Sequence, residues 1–147
     1  MKEPILMASG SCGLALLLAS IPAMAECGYV SAPAKPPLSE DLYPAEIRRI
    51  DGEDLGAERK ANRHRLAAGK YRLSIQERIG TTPRGYTALR KLGHREVALV
   101  YKVIEIEVEA GQHYQMAARL HRDRLDRERP HAYWEPVVWR VLADPCD

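Results

Sequence analysis

Hydrophobic and polar residues alternate over several stretches of this chain. In "KYRLSIQERI", Tyr71, Leu73, Ile75 and Glu77 fall on one side of an extended backbone, and Arg72, Ser74, Gln76 and Arg78 on the other. A period of two over this length predicts a half-buried strand. "EVALVYKVIEIEVEAG" is the strongest strand pattern. It is apolar on both faces through its first half, then alternates with Glu105, Glu107 and Glu109. "QHYQMAARL" continues through Tyr114, Met116, Ala118 and Leu120, and "YWEPVVWRVL" reads as the last strand. "NRHRLAAG" is a short strand, and Asp51-Gly52 in "IDGEDLG" is hairpin-turn chemistry. "GTTPRGYTALRKLGHRE" has no period and reads as a long loop from Gly80 to about Arg95, with at most one helical turn at 86–92. A helix over Met116–Arg129 would have only Met116, Leu120 and Leu125 as its apolar stripe, which is too sparse. The sum is an all-β, single-domain antiparallel sandwich of about five to seven strands with no amphipathic helix.

The segments "LAAGKYRLSIQ" and "VEAGQHYQMAARL" echo one another. In each, Ala-Gly lies at a turn and a tyrosine follows close behind. Glycine supplies the backbone freedom for the reversal, and tyrosine packs its ring while keeping its hydroxyl at the edge. The echo is read as a strand-start device in preference to a repeated ligand loop. "IDGEDLG", "RLAAGKYRLSI" and "IEVEAGQHYQMAA" together, over residues 47–120, resemble PEGA-type domains and similar small bacterial secreted β-sandwiches. The resemblance implies a non-catalytic envelope or surface module. It carries over no active-site residues.

Composition changes this picture at the N-terminus. Lys2, an apolar run densest at Leu14–Ile21, Pro22 and then Ala23-Met24-Ala25 read as a secretory signal peptide over residues 1–25, cleaved after Ala25. The densest apolar stretch is about half the roughly 20 residues of a membrane span. The expected location is periplasmic or secreted, with no membrane span in the mature chain. Residues 26–46, with Pro33, Pro36, Pro37 and Pro44, read as an extended leader, and 47–147 as the sandwich domain. Cys27 and Cys146 then stand at the two ends of the mature chain. An isolated pair in an exported protein predicts a disulfide that ties the termini together.

The formal charge is +2 with signs mixed along the chain, which argues against a nucleic-acid or anionic-membrane binder. His64, His94, His113, His121 and His131 form no metal-ligand spacing, and no metal or cofactor is expected. No Gly-x-Ser-x-Gly is present, and Glu105, Glu107 and Glu109 look like one wet strand face able to pair with arginines such as Arg72 and Arg78. Arg122 and Arg124 lie in the charged run "RLHRDRLDRERP", either a solvated loop or an anion- or glycan-binding edge. Trp134 and Trp139 have opposite parity, so on a regular strand one faces outward as a partner contact. A bulge at Pro136 would instead bury both. The reading is a non-enzymatic binding module contacting an envelope protein or a cell-wall glycan through Tyr133, Trp134, Arg122 and Arg124. One rival is a small inhibitor that plugs a hydrolase with the 80–96 loop. The other is an enzyme built on a concave cluster of His, Glu and Arg.

Overall fold

The alternating run at residue 70 becomes β6 (Gly69–Glu77), the centre of one of two sheets in the computed structural model, which describes residues 26–33, 35–61, 63–93 and 100–146. The signal-peptide reading, His94 and the Val97–Leu99 part of the strongest strand pattern lie outside these residues. β6 is flanked by β3 (Ala45–Ile50) and β7 (Lys102–Val108), both antiparallel to it. A two-residue strand, β4 (Glu53–Asp54), extends the sheet beyond β3. The β3–β4 turn is the predicted one. Asp51 and Gly52 have φ of 50° and 84°, the left-handed pair that suits the strand twist. Asp51 accepts the Arg72 amide through Oδ1 at 2.8 Å, which pins the turn to β6.

The second sheet is built on β8 (Gln112–Leu120). β9 (Trp134–Ala143) pairs along its whole length. The other edge of β8 is shared by β1 (Cys27–Ser31) and the short β2 (Leu42–Tyr43), and β5 (His64–Ala67) pairs with β1. Here the expected topology is corrected. β1 runs parallel to β8, with Tyr29 opposite His113, so this sheet is mixed. The leader expectation changes as well, since every residue of β1 is buried. Five residues are too few to show a period beside so many prolines, but Gly28 marks the place. A methyl group there would stand 2.7 Å from the Glu109 carbonyl and 2.8 Å from that of Gln112.

The two sheets enclose one core. Ile47, Leu73, Ile75 and Val108 meet Val30, Tyr43, Met116 and Trp134, all essentially buried. Both Ala-Gly turns work as expected. The Tyr71 hydroxyl donates to the Ala67 carbonyl at 2.8 Å, and the Glu109 amide donates to the Tyr114 hydroxyl at 3.1 Å. Each tyrosine thus ties its strand back to the turn before it. Cys27 and Cys146 form the predicted disulfide, with Cα atoms 6.0 Å apart.

The long-loop expectation over residues 80–95 is corrected by α1 (Pro83–Leu92). Its end signals are all in the sequence. Thr82 caps the Gly85 amide through its hydroxyl, Pro83 opens the first turn, and Gly93 closes the helix at φ 78°. Ala88, Leu89 and Leu92 are buried, so the helix lies on the core. The segment from 83 to 93 is therefore not the protruding loop that an inhibitor plug needs. No helix among the described residues is long and apolar enough to cross a membrane.

Candidate functional site

Arg48 is the extra residue of a bulge in β3, where pairing with β6 jumps from Ile47–Ile75 to Arg49–Ser74. The bulge lets Ile47 and Ile50 both turn toward the core while Arg48 and Glu46 stay off it. The chain then folds back. The Leu55 amide donates to the Arg48 carbonyl at 3.1 Å, and Asp54 Oδ1 caps the Gly56 amide at 2.8 Å. Residues Gly56–Lys60 form a 3-10 turn over the strand, and this sets Arg59 and Lys60 beside Arg48. Arg78 reaches the same place from the end of β6, its amide bonded to the Pro44 carbonyl at 2.8 Å.

Three arginines converge on the single carboxylate of Glu46. Arg48 Nη1 is 2.7 Å from Oε1, Arg59 Nη1 is 3.9 Å from the same oxygen, and Arg78 Nη2 bonds Oε2. Burial pushes the Glu46 pKa up, but the hydrogen bonds and charges of Arg78 and Arg48 outweigh it and hold the carboxyl below its ordinary range. Arg48 and Arg59 share one oxygen, so their nearest nitrogens lie within about 7 Å of each other. Like charges at that distance repel by about 2 kcal/mol at an effective dielectric near 20. The Asp54 carboxylate, which also feels Arg59 and Arg48, adds a second negative charge, and two carboxylates still leave three guanidinium groups and an ammonium in excess.

These side chains line a cleft of about 720 Å³ with a floor of Ala32, Pro44, Ala45 and Ala57. Among the described residues its lining holds four cations, Arg48, Arg59, Lys60 and Arg78, and one carboxylate, Glu46. Mixed signs along the sequence hid this, because the cations come from three separate segments. Arg78, expected to face the β7 glutamates, pairs with Glu46 instead, while Arg72 does meet Glu105 at 3.6 Å.

A second cleft, of about 610 Å³, has the opposite character. Asp51, Glu53, Asp54 and Glu58 line it together with Arg63, Arg65 and His64. Two of these acids are already committed to backbone amides, Asp51 to Arg72 and Asp54 to Gly56. Burial holds the His64 pKa down against the attraction of Glu58, so the ring is neutral near pH 7. Among the described residues no group of three or more His, Cys, Asp or Glu is placed to hold a metal ion.

The sequence-predicted contacts are dispersed. Trp134 and Tyr133 are 1% and 2% exposed, so both belong to the core and not to a surface. The β9 bulge falls at Trp139, opposite the Gln115–Met116 step, and not at Pro136. Trp139 is the tryptophan left half-exposed. The Tyr133 hydroxyl donates to Glu77 Oε1 at 2.8 Å, and burial and that carboxylate drive its pKa far up. Lys102 Nζ donates to the carbonyls of His131 and Trp134 at 2.5 Å each, holding this corner shut. Arg124 is exposed in a 3-10 turn. Arg122 bonds Asp41 Oδ1 through Nε at 2.9 Å and the Tyr43 hydroxyl through Nη2 at 3.1 Å, and faces a third cleft with Arg84. Comparison of the chain with protein-family models, with curated proteins and with solved structures finds no match.

Proposed function

We propose that the protein is an exported, non-catalytic binding module of the bacterial cell envelope, and that it binds an anionic envelope polymer in the Arg48–Arg59–Lys60–Arg78 cleft. The cationic excess of the lining is the observation that carries this reading. Four cations around one shared carboxylate leave repulsion that a bound anion relieves, and arginine forks suit carboxylate and phosphate groups alike. The stapled sandwich fits a compartment that keeps disulfides oxidised, and the "IDGEDLG" and Ala-Gly-tyrosine resemblance to PEGA-type domains supports an envelope role.

Sedimentation with envelope fractions of the producing cells tests the reading. The oxidised protein should co-sediment at low salt and be released as salt rises. The Arg59→Gln/Lys60→Gln variant leaves the closest Glu46 pairs intact and should lose most of that retention. Retention unchanged in this variant would refute the cleft as the binding surface.

A further inference from the structure

We infer that the ligand is a linear polyanion that runs from this cleft into the neighbouring one, which holds Arg84 and Arg122. The inference rests on the proposed binding role and adds the form of the ligand. The two clefts are bordered by the same two stretches of chain. Pro44 and Glu46 line the first and Asp41 the second; Arg78 and Thr81 line the first and Pro83, Arg84 and Thr87 the second. Thr81 and Pro83 are two residues apart, at most about 7 Å along an extended chain. On both stretches the linings of the two clefts therefore come within two or three residues of each other.

Charge continues from one cleft to the other. The Arg84–Arg122 cleft, of about 600 Å³, adds these two cations against Asp41. The pair of clefts thus presents six cations to two carboxylates, both already engaged by arginine. Arg122 is braced on Asp41 and the buried Tyr43 hydroxyl, and these hydrogen bonds and the Asp41 charge keep its guanidinium ionised. α1, which carries Arg84, contains three cations and no acid. A small monovalent anion would use one cleft and leave the other unrelieved, whereas a chain of repeated negative charges uses both. Among the described residues neither cleft is lined by an aromatic ring. Single-stranded nucleic acid binds by stacking bases on such rings, so these linings favour recognition through the charges of the ligand.

The test uses the full mature, oxidised protein and three probes: inorganic tripolyphosphate, long-chain inorganic polyphosphate, and polyglutamate of similar length. Affinities are measured by calorimetry. The long chains should bind more than ten-fold tighter than tripolyphosphate. Six contacts predict a log–log salt slope near −4, or about 250-fold weakening between roughly 50 and 200 mM salt. Arg84→Gln should weaken the long chains about three- to ten-fold, reduce the slope by about 0.7, and leave tripolyphosphate unchanged. Arg59→Gln/Lys60→Gln should weaken every probe. Polyphosphate preferred over polyglutamate assigns phosphate groups to the polymer, and the reverse assigns carboxylates. If Arg84→Gln leaves the long chains unaffected while the double variant weakens them, the two-cleft path is wrong and the binding cleft stands. If no probe binds but envelope retention persists and depends on Arg59 and Lys60, the partner is an acidic protein and the polyanion is overturned. Loss of both probe binding and retention overturns both proposals.

Discussion

Replacing Gly85 by alanine sets two effects of opposite sign against each other. Gly85 is the third residue of α1, and helix propensity there favours alanine by about 1 kcal/mol. Packing opposes it. A methyl carbon on Gly85 would stand 2.0 Å from the Ile79 carbonyl oxygen and 2.5 Å from Ile79 Cγ2. Carbon atoms pack at about 3.5–4.0 Å, so the helix must move by an ångström or more. Ile79 cannot yield easily, because its side chain is fully buried and its carbonyl accepts from both the amide and the hydroxyl of Thr82. Moving α1 instead loosens Leu89 and Leu92 from the core. Overpacking costs about 1–3 kcal/mol, and the backbone obstacle puts this site at the upper end. After the propensity gain, the net loss is about 2 kcal/mol. Equilibrium urea unfolding, read by tryptophan fluorescence and by far-UV circular dichroism, measures it at constant m-value. Gly80→Ala is the control. Its methyl meets only Leu89 Cδ1 at 3.6 Å, an ordinary contact, and its effect should stay within about 0.5 kcal/mol. A Gly85→Ala protein as stable as the parent would refute the packing of α1 on Ile79.

Reducing Cys27–Cys146 frees a loop of 119 residues' separation and should lower stability by up to about 5 kcal/mol on the chain-entropy account. Unfolding midpoints with and without reductant check this, and an unchanged midpoint would mean that the staple does not constrain the unfolded chain. Trp134→Ala should cost about 3–5 kcal/mol as a core deletion, with ligand retention per folded molecule preserved. Retention lost at full stability would return Trp134 to the binding surface. Burial holds His64 and His113 below their ordinary 6.5, against the attraction of Glu58 and Asp144. The unfolded chain then binds protons more readily, so their contribution is complete above pH 6.5 and is lost as pH falls through the lower folded values. Thermal melts across that range should show the decline, and His64→Gln/His113→Gln should flatten it. Glu46, also lowered, adds its own loss only below 4.5.

Local patterns in the chain were legible where a few neighbouring residues decide the outcome. Asp51-Gly52 dictates its turn, Gly69 and Gly111 mark strand starts with a tyrosine behind them, and Cys27 and Cys146 form the pair expected of them. α1 was legible in its caps but hidden in its interior, where Gly85 and a short apolar stripe weaken the helical period. β1 was hidden by its length and by its partner. Its neighbour β8 lies more than eighty residues away, and a parallel pairing leaves no turn signal between them. The cationic cleft had no local signal. A bulge at Arg48, a turn at Gly56–Lys60 and a strand end at Arg78 bring its charges together, and only the bulge hinted at itself, as an arginine pair between two isoleucines.

The parallel seating of β1 has a consequence for timing. A polypeptide is made, and threaded through any export channel, from its N-terminus onward. Among the strands β1 emerges first, and β5, which ends at Ala67, can later pair with one of its edges. Its other edge stays open until His113–Gln115 arrives, and β8 in turn is uncovered until β9 follows. The mixed sheet therefore closes only when β9 is out. Such long-range pairing is slow and leaves strand edges exposed on the way. Cys146 lies three residues beyond β9, so it can pair with Cys27 only once the last strand is out.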